Sequence, residues 1–200
     1  MDGVIFLYIH WLLWVIYTFF VQRTKKRLSI SAFLLISILA FGLDVPVGKY
    51  TINGSALIIF GYSFLILARS QKQIVSACMS LAVAIAYCGA LFFESVSPIW
   101  IIGPRLWMLS FLAFALVYFM SRFTMTRIGI WGIGAVFGET LFTTYINELG
   151  YEKIIGNPMF LDIYAVVLLF FTIAATGSFI IESLEGMVSH RIKRKVGVKP

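Results

Sequence analysis

Apolar residues in this chain fall into seven long runs, separated by short segments that carry nearly all of the charge and most of the turn-forming residues. The runs cover about 3–21, 28–43, 52–68, 73–93, 105–121, 128–147 and 159–181, and a polar, basic tail occupies 182–200. Long apolar runs with few charges read as membrane-spanning helices, because a helix satisfies its own backbone hydrogen bonds where no water is present. The pattern predicts an all-α fold: a polytopic transmembrane bundle of seven helices, forming one transmembrane domain over 1–200.

The polar segments order the helices. The links 22–27, 69–72 and 122–127 are four to six residues long, so the helix pairs they join are expected to be antiparallel neighbours. The connections on the other side are each about eleven residues, enough to lie on the interface but too short for a domain. The first of them, 44–54, holds the turn-formers Pro46 and Gly48. The third span is expected to reach back through the uncharged residues Tyr50 to Asn53. Trp100 and Trp107 flank the start of the fifth span, where amphipathic rings favour the headgroup level.

Composition narrows the class. The chain is 60% hydrophobic and 12% charged, with a mean hydropathy of +0.95, whereas soluble domains are about one quarter charged. The formal net charge of +7 does not indicate nucleic acid, because the cations lie between apolar runs rather than along a basic groove. Seven alternating spans place 13 of the 16 Lys and Arg residues on one side, leaving only Lys49, Arg105 and Lys153 opposite. By the positive-inside rule the tail is expected in the cytoplasm and the N-terminus outside. An even number of spans would destroy this bias. The first run lacks a basic leader and a small-residue cleavage pattern, so it is expected to remain as a helix.

Candidate chemistry centres on Glu139, an acid in the middle of the sixth apolar run. An ionisable residue near the bilayer centre costs about 2.5–3.5 kcal/mol on insertion scales and normally faces protein or water. At about 100° per residue, Gly132, Ala135 and Thr143 share its face, while Ile130, Phe137 and Leu141 point towards lipid. Two readings stand side by side. Glu139 is a proton or cation site, or it makes a structural hydrogen bond to a neighbouring Tyr, Ser or Thr. Counting helix rise places His10 about 10 Å and Glu139 about 12 Å below the outer surface. Asp162 lies one turn into the last span and Arg105 opens the fifth, so these four are expected to converge as an intramembrane polar site. His10 by itself reads as a hydrogen-bonded histidine or a proton relay.

Other features concern packing and lipid. Gly134 and Gly138 form a G-x-x-x-G pair that lets helix backbones approach closely, within the bundle or between subunits. The fourth span carries a stripe of Ser76, Ser80, Ala84 and Cys88 and a second of Cys78, Ala82, Ala86 and Ala90. Both invite close contact and mark this helix as the candidate central element. Cys78 and Cys88 are separated by about 15 Å of helix rise, beyond disulfide reach. In the tail, Arg191, Lys193, Arg194 and Lys195 read as anionic-lipid contacts or as a topology anchor.

Several chemistries are excluded. The sequence has no nucleophile elbow, zinc-helix motif, P-loop or dinucleotide fingerprint. The last span has no lysine for a retinal Schiff base, and one intramembrane histidine cannot supply paired haem ligands. No cofactor or metal site is expected. The expected partners are the lipid bilayer and a membrane protein or a second copy of the chain, with no nucleic acid. A non-enzymatic role in interaction or envelope organisation leads; a small proton- or cation-coupled transporter or channel component using Glu139 is the alternative.

The opening Met1-Asp2-Gly3-Val4-Ile5-Phe6 with Trp11 and Trp14, the Ser97-Pro98-Ile99-Trp100 and Arg105-Leu106-Trp107-Met108 stretches, and Gly138-Glu139 carry a family resemblance. Together they resemble the YphA-type membrane proteins of spore-forming Gram-positive bacteria, across the whole chain in length and hydropathy. The resemblance implies a multi-pass protein of the bacterial plasma membrane. It implies no activity and no functional residue.

Overall fold

The computed structural model of the protein describes residues 3–97 and 104–196, with side chains described as far as Ser178 and again at Ile181. Among these residues the chain forms seven helices: α1 (Val4–Phe19), α2 (Lys25–Leu39), α3 (Gly54–Ala68), α4 (Gln73–Val96), α5 (Arg105–Met120), α6 (Thr124–Glu148) and α7 (Pro158–Val196). One hairpin, β1 (Asp44–Val47) and β2 (Tyr50–Asn53), interrupts them. Gln73–Val96 and Pro158–Ser178 are long and apolar enough to cross a membrane by length and composition. α1, α3 and α5 are apolar but have only 15–16 residues, about 24 Å of rise.

α7 and α6 form the centre. Phe160 to Leu168 of α7 are all buried, and a helix enclosed on every side belongs inside a bundle. α7 packs along α1 and α5, α6 packs along α3 and α4, and α2 closes the arrangement between α1 and α3. The expectation that short links make neighbours fails for α3 and α4. These two splay apart, and α6 fills the space between them; α5 packs chiefly on α7 rather than on α6. A tight link fixes where two helix ends meet, but which faces pack depends on the side chains along them.

Those side chains are glycines on α6. A Cβ on Gly134 would meet Val83 and the Ser80 carbonyl at 2.7–2.9 Å, and one on Gly138 would meet the Ala84 carbonyl at 2.7 Å. A Cβ on Gly129 would strike Leu67 and one on Gly132 would strike Ser63, both on α3. The absent side chains therefore let α6 lie against two helices at once. On α4 the stripe Ser76, Ser80, Ala84 and Cys88 is buried, while Cys78, Ala82 and Ala86 of the second stripe are exposed. α4 thus packs on one side and is not the central element. Ile130, expected towards lipid, is buried because α6 is enclosed all round from Ile128 to Gly132. Phe137 and Leu141 are 48% and 51% exposed.

Tyr50–Asn53 is strand, not the first turn of α3. It pairs antiparallel with β1, Val47 opposite Tyr50 and Asp44 opposite Asn53. Gly48 opens the two-residue turn at φ +62, as a type II′ hairpin requires. β2 also receives the later connection: Asn53 N–H donates to the Ile155 carbonyl and Ile155 N–H to the Thr51 carbonyl, both at 2.9 Å. Two of the three long connections therefore meet at one end of the bundle. At the other end of the sequence, α7 continues as one helix to Val196. The side chains of Arg191, Lys193, Arg194 and Lys195 lie outside the described set, as do residues Pro98, Trp100 and Gly103.

Candidate functional site: a polar cavity around Glu139

Asn157 and Pro158 start α7 in the usual way for helices, a capping amide followed by a proline whose missing N–H costs nothing at the first position. Asn157 Oδ1 accepts from Phe160 N–H at 3.0 Å. That bond fixes which end of the amide points where, so Nδ2 is turned towards α6 and donates to Glu139 Oε1 at 2.6 Å. Thr143, one turn along α6, also donates to Oε1, at 3.4 Å. Both bonds fall on one oxygen of a residue that is only 2% exposed. Oε2 is left to a cavity of about 190 Å³ bordered by Glu139, Asn157, Tyr87, Arg105 and Lys153 among apolar side chains.

The two cations arrive by different routes. Arg105 opens α5, ion-pairs with Glu94 at the end of α4, and donates from Nη1 to the Met159 sulfur at 3.1 Å. Lys153 comes from the connection between α6 and α7. Asn147 clamps its backbone, donating to the Lys153 carbonyl at 2.9 Å and accepting from its N–H at 2.8 Å. The Lys153 ammonium lies over the Phe142 ring, 5.2 Å from its centroid. Lys153 also borders an outer basin of about 650 Å³ shared with Lys49, Thr51, Asn147 and Glu148. Deeper in the bundle the cavity ends at packed rings: Tyr87 meets Trp131 edge-on at 5.7 Å, and Trp131 stacks on Tyr164 at 6.4 Å. Trp131 and Tyr164 are both fully buried.

The four residues expected to converge separate into two pairs. Glu139 and Arg105 share the cavity. Asp162 and His10 instead meet at the N-terminus of α1. Asp162 accepts from Gly3 N–H at 3.0 Å and Phe6 N–H at 2.7 Å, one on each carboxyl oxygen. It caps α1 from α7, supplying the acceptor that α1 lacks in its own sequence. Gly3 holds φ +87 there, with no room for a Cβ beside the Phe41 ring. His10 Nδ1 bonds the Phe6 carbonyl at 3.0 Å, and its ring packs among Phe6, Phe33 and Tyr164. Its Nε2 has no partner. Depth counted along the sequence could not separate these pairs, since that count put all four in the outer half of the bilayer.

Sequence reasoning missed Asn157, Lys153 and Tyr87. Only Asn157 carried a readable mark, the Asn-Pro start of a helix. Among the described residues no cluster of three or more His, Cys, Asp or Glu has the arrangement of a metal site.

The sequence matches a family model described as YphA-like integral membrane protein over residues 2–197. The chain belongs to that family. The resemblance carried by Met1 to Phe6 and Gly138-Glu139 is thus borne out. One relative, named Uncharacterized protein YphA, from Bacillus subtilis (strain 168), is 26% identical over 159 residues, covering 76% of each chain. No solved structure matches. This YphA-like protein is accordingly an integral membrane protein, and every residue of the Glu139 cavity lies within the family match.

Proposed function

We propose that the protein spans the plasma membrane seven times, N-terminus outside and C-terminus inside. It works without catalysis, as an interaction or envelope protein whose contact point is the outward-facing Glu139 cavity. The observation that carries this reading is the free Oε2 of a buried acid facing a cavity that Lys153 links to the outer basin. The orientation is supported by the distribution of Lys and Arg. It is also supported by the meeting of the 44–53 hairpin with the 149–157 connection at one end, joined by the Lys49–Glu148 ion pair. Lysine at 153, replaced by cysteine in a chain with Cys78 and Cys88 changed to serine, is expected to react with an impermeant maleimide from outside the cell. Labelling from the cytoplasm only would overturn the orientation. Crosslinking in native membranes is expected to capture a defined neighbour or a second copy; a clean monomer would count against an interaction role.

The second reading, a proton- or cation-coupled transporter, is favoured by the burial of Glu139 in the middle of α6. The Trp131 and Tyr164 rings inward of the cavity weigh against a through-path. A Glu139→Gln protein with undiminished ion flux in vesicles would remove it.

A further inference from the structure

The cavity is bordered by one acid and two cations, and its contents follow from that lining. The acid is Glu139, whose two hydrogen bonds both fall on Oε1 and leave Oε2 for a ligand. The lining also holds the Arg105 guanidinium, which keeps its Glu94 ion pair, and the Lys153 ammonium over the Phe142 ring. A lone metal cation fits poorly: hard cations take six or more oxygen ligands, and this lining supplies one carboxylate oxygen beside two cations. A lone anion fits poorly too, since it would sit against the free oxygen of Glu139 with nothing to offer it. A molecule that carries both charges satisfies both kinds of group.

From this juxtaposition we infer that the cavity binds a small zwitterion, its primary ammonium on Glu139 Oε2 and its carboxylate or phosphate on Arg105 and Lys153. This rests on the outward-facing cavity of the proposed function and adds the class of ligand. The volume of about 190 Å³ holds roughly six waters' worth of matter, each taking about 30 Å³ in the liquid. That suits an amino acid or an ethanolamine phosphate. A primary ammonium suits the carboxylate because it offers three N–H donors, whereas a trimethylated nitrogen offers none. Leu91, Phe142, Phe160 and Ile163 supply apolar lining beside the charged groups. The same chemistry is available from two sources, a free solute entering by the basin beyond Lys153 or the headgroup of an ethanolamine lipid in the outer leaflet.

The test uses the full chain in phosphatidylglycerol nanodiscs, titrated calorimetrically with L-alanine and with O-phosphoethanolamine. At least one is expected to bind, with inorganic phosphate and phosphocholine weaker by about tenfold or more, the loss expected for one charge-assisted hydrogen bond. Glu139→Gln and Lys153→Gln are each expected to weaken binding by a similar factor. Lys153→Gln is the safeguard, because that exposed side chain lies outside the helices and its loss leaves the fold in place. Adding phosphatidylethanolamine to the discs separates the sources: binding of the soluble probe is suppressed if the headgroup occupies the site and unchanged if a solute does. No binding of either zwitterion, equal binding of phosphocholine, or full affinity in Lys153→Gln would overturn the inference. If cysteine at 153 still labels from outside, the ligand assignment alone has failed; if it does not, the outward cavity has failed with it.

Discussion

Asn157 donates its side-chain amide to Glu139 across 2.6 Å while the oxygen of the same amide caps α7. One side chain thus joins the start of the last helix to the middle of the sixth, and fixes both the carboxyl and the roof of the cavity. Replacing it by alanine removes a cap and a donor together. The expected cost is about 2 kcal/mol, combining roughly 1 kcal/mol for the cap with a similar term for the hydrogen bond. Asn157→Asp keeps the cap acceptor but sets a second acid against Glu139, and at neutral pH it is expected to be the less stable of the two. Thermal unfolding of both variants in detergent checks the order; an aspartate variant as stable as the parent would show that the Glu139 contact contributes nothing.

Asp162 caps α1 from α7, and it is 3% exposed. Asp162→Ala leaves the Gly3 and Phe6 N–H groups buried without that acceptor, at about 1–3 kcal/mol for each such loss. The variant is expected to lose amide-exchange protection at the start of α1 before any change around Glu139. Protection unchanged at Phe6 would refute the capping role.

Glycines of α6 and α4 divide by what they face. Gly138→Ala puts a methyl group against the Ala84 carbonyl and is expected to cost about 1–3 kcal/mol through overpacking. Gly89, on the exposed side of α4, has nothing within 4 Å of an added Cβ. Gly89→Ala is expected to stabilise the helix by about 0.5–1 kcal/mol, since alanine loses less backbone entropy there. Chemical or thermal denaturation of the pair gives opposite signs if α6 is wedged against α4 as described.

His10→Phe replaces a ring nitrogen that has no partner with an apolar ring in an aromatic cage. The one bond lost is that of Nδ1 with the Phe6 carbonyl, and the unpartnered Nε2 is removed at the same time, so the two effects offset. Stability is expected within about 1 kcal/mol of the parent, and zwitterion binding at the Glu139 cavity is expected to be unaffected. A variant that folds but loses binding would tie His10 to the site after all.

Reading the chain locally located much of this. Glu139 stood out as an acid in an apolar run, and its helical face with Ala135 and Thr143 followed from periodicity; both neighbours are buried with it. The Val45 to Ile52 segment shows why local reading also fails. Its uncharged residues suit a helix or a strand, and the two-residue Gly48-Lys49 turn was the clue that favoured a hairpin. Asn157 was legible as a cap but not as the partner of Glu139, because that contact depends on how eight intervening connection residues fold back over α6.

The amino-acid sequence by itself determined that this is a helical integral membrane protein, because transfer of long apolar runs into lipid is decided residue by residue and needs no partner. It also determined which acid is costly to bury. Only the tertiary structure decided that α6 lies between α3 and α4, that Asp162 caps α1 instead of joining Glu139, and that Arg105 and Lys153 border the cavity. Those outcomes depend on close approach between segments far apart in the chain, which glycine faces permit and hydrogen-bond geometry selects.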